Sequence, residues 1–114
     1  MQQDPLNVET LPGKSEGTLI LRLTGPLTLL NLFQLQDELK KQDVPVTILD
    51  LSGVPYMDSA GMGAIINYYV STKRRGQKVI AAGVSERVLE LFKLTKVDAL
   101  IPLAPSIEQA EAAL

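Results

Sequence analysis

The sequence contains no cysteine and no histidine among its 114 residues. Without cysteine there are no disulfides, no thiol catalysis and no thiolate-held zinc or iron–sulfur cluster. Without histidine there is no imidazole base, no Ser-His-Asp triad and no imidazole metal ligand. Tryptophan is also absent, and three Tyr and two Phe are the only aromatics, too few for a base-stacking platform. Charge of one sign is lacking: 11 Lys and Arg face 13 Asp and Glu, a net charge of −2. Direct binding of nucleic acid has no basic excess to drive it. No apolar run approaches the roughly 18 residues needed to cross a bilayer. The first fifteen residues carry Asp4, Pro5, Glu9, Pro12 and Gly13 and no apolar core of a signal peptide. The expected location is the cytoplasm, with no membrane insertion.

The 46% hydrophobic and 21% charged composition is that of an ordinary globular chain, and the length suits one domain over residues 1–114. Leu6 to Leu11 reads as a short strand, followed by a Pro12-Gly13 turn. Thr18 to Thr24 alternates, with Leu19, Leu21 and Leu23 on one buried face. Asn31 to Lys41 reads as a helix with Leu32, Leu35 and Leu39 inward and Asn31 as its cap. Val46 to Leu51 has the composition of a central strand covered on both faces. A helix follows over about Ala60 to Arg75, carrying Ile65, Ile66, Tyr69 and Val70 and stopped by Gly76. Lys78 to Val84 is a further strand. Ser85 caps a helix to about Leu94, with Val88, Leu91 and Phe92 inward. Leu100 to Leu103 is a final strand, and Ser106 opens a last helix with Gln109 three residues on. The order β-β-α-β-α-β-α-β-α predicts a small α/β domain. Its sheet has about five strands, mostly parallel with an antiparallel first pair, and about four helices. The patterning predicts no surplus apolar stripe on the surface; it does not fix the oligomeric state, for which a monomer or weak dimer is the expectation.

Met57-Asp58-Ser59-Ala60-Gly61-Met62-Gly63 joins the central strand to the second long helix. Loops at the carboxyl ends of parallel strands are where α/β proteins place function. Asp58 or Ser59 takes the helix cap, and the Ser59 hydroxyl lies at the surface over free N–H groups. Gly61 and Gly63 let a second chain or a phosphate approach the first turn. A phosphoryl group on Ser59 adds close to two negative charges beside Asp58. The same residues also suit an ordinary helix cap with tight packing beneath it.

Other chemistries lack their residues. A dinucleotide fingerprint needs a third glycine where Ile66 stands, and no Gly-Lys-Ser or Gly-Lys-Thr occurs. A nucleophile elbow needs glycine where Met57 stands. A Ser-Lys pair stays open, with no lysine singled out. Asp50 and Asp58 could share a divalent ion, or be solvated and capping groups; no metal and no cofactor is expected. Lys73-Arg74-Arg75 with Lys78 suits the negative end of a helix and could meet an acidic partner.

The segment Thr47-Ile-Leu-Asp-Leu-Ser-Gly-Val-Pro-Tyr-Met-Asp-Ser-Ala-Gly-Met-Gly63 resembles the signature of the STAS family. That family includes sulfate-transporter domains and bacterial anti-sigma factor antagonists. Gly25-Pro26-Leu27-Thr28 with Asn31, Val88-Leu-Glu-Leu to Ile101-Pro102, and Pro105-Ser106-Ile-Glu-Gln-Ala110 extend the resemblance over nearly the whole chain. The resemblance implies a partner switch. A stand-alone antagonist binds an anti-sigma factor with serine kinase activity and so frees the sigma factor. The kinase phosphorylates one serine, here Ser59, and the complex parts; a phosphatase restores it. The chain would be a binder and a substrate, not an enzyme. Its expected partner surface comprises Tyr56, Asp58, Ser59, Ala60, Gly61, Met62 and Gly63 with Thr28 and Asn31 of the loop Gly25 to Asn31.

Two positions depart from the family pattern. Thr28 replaces the usual acid and brings no charge near Ser59. Lys96 stands where a glycine often ends the third helix, at a cost of about 1 kcal/mol if φ is positive there. Two other roles fit the same family: a non-phosphorylated adaptor subunit of a lipid-transport or sensory complex, and a small-ligand module holding a nucleotide at the strand ends. No phosphate loop supports the second.

Overall fold

The computed structural model describes residues 5–114; Asp4 lies outside them. Among the described residues five strands form one sheet in the order β1-β2-β3-β4-β5. They are β1 (Asn7–Pro12), β2 (Thr18–Thr24), β3 (Val46–Gly53), β4 (Lys78–Ala82) and β5 (Leu103–Ala104). β1 runs antiparallel to β2, and each later pair is parallel. Four α-helices join or follow these strands: α1 (Leu32–Lys40), α2 (Ser59–Arg74), α3 (Glu86–Leu94) and α4 (Ile107–Ala112). The alternation of strand and helix patterns thus produces the mixed, mostly parallel sheet it predicts.

β3 is central, and Thr47 to Leu51 is buried throughout, as its apolar composition requires. Helices α1, α2 and α3 cover one sheet face. There Leu21, Leu23, Leu49 and Leu51 have no exposed surface and pack with Leu35, Ile65 and Phe92. Each such side chain contributes about 1.5–3 kcal/mol of burial. The other face holds Ile20, Ile48, Ile80 and Ala82 beneath Ala110 of α4. β2 is therefore covered on both sides. Ile20 is buried and Leu19 only half-buried, so the alternation marked the direction of Leu21 and Leu23 but not the cover over Ile20.

Local chemistry sets the helix starts. The Ser85 hydroxyl accepts from the Val88 N–H at 3.3 Å, and Ser106 from the Gln109 N–H at 3.2 Å. α1 differs from the expectation. Asn31 stands at its cap position, but the side-chain amide turns back and donates to the Pro26 carbonyl at 2.7 Å. A 3-10 turn, Leu29–Asn31, leads into this helix instead.

Several details also differ from the expectation. β4 ends at Ala82, short of Val84, because Gly83 turns the chain at φ +70°. The last strand is Leu103–Ala104 rather than Leu100 to Leu103, since a second 3-10 turn, Val97–Ala99, occupies the preceding residues. Within α2, Tyr68 faces the core and Val70 faces out. The Tyr68 hydroxyl reaches Thr47 Oγ1 of β3 at 2.7 Å, a polar anchor that makes a buried tyrosine tolerable.

Candidate functional site

Two loops that are distant in sequence are joined by backbone hydrogen bonds at the carboxyl end of the sheet. The Leu27 N–H donates to the Tyr56 carbonyl at 3.2 Å, and the Asp58 N–H donates to the Leu27 carbonyl at 3.1 Å. Asp58 then completes the junction with its side chain. Oδ1 accepts from the Gly61 N–H at 3.0 Å and caps α2; Oδ2 accepts from the Leu29 N–H, also at 3.0 Å. Partial burial pushes the Asp58 carboxyl up, but the N–H groups of Gly61, Leu29 and Ala60 outweigh it and hold the pKa below its ordinary value.

Ser59 is the first residue of α2 and is exposed. With Asp58 in the cap, the Ser59 hydroxyl has no hydrogen bond among the described residues. It stands at the positive end of a sixteen-residue helix. The two glycines behind it differ in role. A Cβ on Gly61 would collide with the Leu27 carbonyl, so this glycine serves the internal junction of the two loops and not an approaching chain. Gly63 has open space where its side chain would be.

The residues of the expected partner surface are divided accordingly. Asp58, Ser59 and Tyr56 are exposed; Ala60, Gly63, Thr28 and Asn31 are half-buried; Gly61 and Met62 are buried and lie beneath the surface. Asp50 and Asp58 do not form a shared cation site. Asp58 caps α2, whereas Asp50 is paired with Arg22 on the α4 side of the sheet. No group of three or more acidic ligands gathers among the described residues.

The sequence reading missed the apolar character of this end of the molecule. Leu29, Leu30 and Phe33 are 65%, 79% and 79% exposed and form a shelf beside the α2 start. The expectation of no exposed apolar stripe is therefore corrected. Leucines at helical spacing look alike in sequence whether or not a neighbouring element covers them. On the other flank the Arg87 guanidinium of α3 lies 5.1 Å from the centre of the Tyr56 ring, with Leu94 exposed beyond it.

No helix among the described residues is long and apolar enough to cross a membrane. The sequence matches the STAS domain family over residues 11–110. An anti-sigma-B factor antagonist of Listeria monocytogenes is 33% identical over 55 residues, 48% of each chain. The chain thus spans about half the length of the curated relatives it matches. Among solved structures, a sulfate transporter family protein from Wolinella succinogenes superposes with a TM-score of 0.77 at 26% identity, covering 87% of this chain and 85% of that one. The Bacillus cell-fate determinant SpoIIAA in its phosphorylated form superposes with a TM-score of 0.69 at 17% identity, covering 96% and 99%, a likeness of fold alone. With the signature segment, the sheet order and a match over most of its length in agreement, the chain belongs to the STAS domain family.

Proposed function

We propose that this protein is an anti-sigma factor antagonist whose partner is an anti-sigma factor with serine kinase activity. The carrying observation is the exposed Ser59 hydroxyl at the start of α2, without a hydrogen bond among the described residues and tied through Asp58 to the shelf of Leu29, Leu30 and Phe33. The name of the Listeria relative supports the role. The phosphorylated form known for SpoIIAA supports a phosphorylation cycle.

Unmodified protein docks through the shelf, Tyr56 and the first turn of α2. Burying one large apolar side chain is worth about 1.5–3 kcal/mol, so three of them supply substantial binding energy. The kinase then moves the γ-phosphoryl group of ATP to Ser59 Oγ, the hydroxyl proton leaves, and ADP is released. In the free protein the new charge is tolerable, because a dianion and a carboxylate about 4 Å apart in water repel by only about 2 kcal/mol. In the complex the same dianion is stripped of water beside the Asp58 carboxylate and an apolar shelf, which costs several times more. Release follows from that difference, and a phosphatase resets the cycle. The chain acts here as binder and substrate, and the chemistry belongs to the kinase.

The test is a phosphosite map by mass spectrometry of the protein from its native host, with its bound partners identified in the same sample. Phosphate on Ser59 and a small ATP-binding kinase among the partners is the expected result. An unmodified Ser59 under several growth conditions, with transporter or sensor subunits bound instead, would replace this reading with an adaptor role. Ser59→Asp is expected to weaken kinase binding, and Ser59→Ala to preserve binding and block modification. Release that continues in Ser59→Ala would reject the site.

A further inference from the structure

The sheet face beneath α4 changes character along the strands. Ile20, Ile48 and Ile80 form a row in register across β2, β3 and β4 and pack with α4. Two residues further on, the row reads Arg22, Asp50 and Ala82. A cavity of about 470 Å³ opens over it, walled by Ser52, Gly83, Ser106 and Glu108. This is the opposite side of the sheet from α2 and Ser59.

Asp50 is only 4% exposed, and both of its carboxylate oxygens accept hydrogen bonds. Oδ1 accepts from the Ser52 hydroxyl at 2.7 Å and the Ser52 N–H at 3.1 Å. Oδ2 accepts from Arg22 Nε at 2.9 Å. That bond uses one of the five guanidinium donors, and the terminal nitrogens of Arg22 meet no acceptor among the described residues. Clamped at Nε by a buried carboxylate, the planar group holds its terminal donors in a fixed fork. The Arg22 side chain remains 40% exposed, so the fork is reachable. A fork of this kind grips a carboxylate through two parallel charge-assisted hydrogen bonds.

The rest of the wall selects further. Ser106 Oγ accepts from the Gln109 N–H, which leaves its hydroxyl proton to donate. Glu108 is exposed at the rim and opposes ligands of high negative charge. We propose that this cavity is a binding site for a small carboxylate carrying a single negative charge, held by the terminal nitrogens of Arg22. A ligand with an amino group would place it toward Glu108. The site is independent of the Ser59 cycle.

The test is an NMR titration of the full chain with acetate and, separately, with inorganic phosphate, at constant ionic strength. Acetate is expected to shift the amides of Arg22, Ser52, Gly83 and Ser106 saturably, and phosphate to bind more weakly. Arg22→Lys keeps the charge but loses the fork, and is expected to weaken acetate binding at least about tenfold. Ser106→Asp keeps a good helix cap, so α4 stays formed while the added carboxylate abolishes acetate binding. This second variant decides the matter if Arg22→Lys does not fold. Non-saturating acetate shifts, unchanged acetate binding in Ser106→Asp, or phosphate binding as tight as acetate would each overturn the proposal.

Discussion

The Asp58 carboxylate accepts a 3.0 Å hydrogen bond from the backbone N–H of Leu29, across 29 residues of chain. With its other oxygen it caps α2. One side chain thereby holds the exposed apolar shelf against the helix that presents Ser59. Asp58→Ala removes both acceptors and is expected to cost about 1–2 kcal/mol, the upper range for a lost helix cap. Asp58→Asn keeps one oxygen acceptor and should lose less. Urea unfolding of both variants checks the order, and equal losses would argue against the dual role.

The shelf is predicted to be a binding feature with little part in folding. Leu30→Ala and Phe33→Ala remove side chains that are each 79% exposed. Their stability is expected to stay within about 0.5 kcal/mol of the parent. Affinity for the anti-sigma partner is expected to fall by tenfold or more, the loss typical of a contact worth above about 1.4 kcal/mol. Calorimetric titration against the partner measures this, and unchanged affinity in both variants would place the interface elsewhere.

Acid sensitivity follows from two carboxylates. Burial pushes Asp50 up, but the Ser52 hydroxyl and N–H and the Arg22 guanidinium outweigh it and hold it low; Asp58 is held low by backbone N–H groups. A carboxylate with a folded pKa below its unfolded value of about 3.9 stabilises the fold above that value. Its contribution is lost as pH falls through the folded pKa. Urea midpoints should therefore hold steady from neutral pH into the mildly acidic range, then decline below about pH 4. Asp58→Asn should make that decline shallower. An equally steep decline in the variant would exclude Asp58 as a source.

Lys96 adopts φ +62°, and no other non-glycine residue among those described has a positive φ. The left-handed region that the family glycine accommodates is thus required here, between α3 and the turn Val97–Ala99. Lys96→Gly is expected to stabilise the fold by about 1 kcal/mol, the relief of Cβ crowding outweighing the added freedom of the unfolded chain. In a domain of this size that corresponds to a rise of about 4–8 °C in melting temperature. A drop in a thermal melt would contradict the strain at this residue.

Strand, helix and cap were legible wherever a local rule decided them. Alternation marked β2, apolar continuity marked β3, and Ser85 and Ser106 marked helix starts, because each depends on contacts within a few residues. The candidate site was half legible. Ser59 and Asp58 stand out by sequence pattern, Tyr56 by proximity along the chain, and Thr28 only through the family resemblance. Gly61 was assigned to a partner's approach, but it accommodates the Leu27 carbonyl. Leu29, Leu30 and Phe33 were given no role, since spacing alone does not reveal whether a neighbour covers them.

The sequence by itself determined the α/β class, the family and the serine at the start of α2, because periodicity, capping chemistry and a contiguous motif are all short-range properties. Only the tertiary structure decided what surrounds that serine. The pairing of Leu27 with Met57 brings two loops together, and Asp58 reaches Leu29 only once they meet. The Arg22 fork likewise exists only because parallel pairing sets Arg22 beside Asp50. Both features depend on strand register and long-range contact, which one residue's neighbours in sequence do not encode.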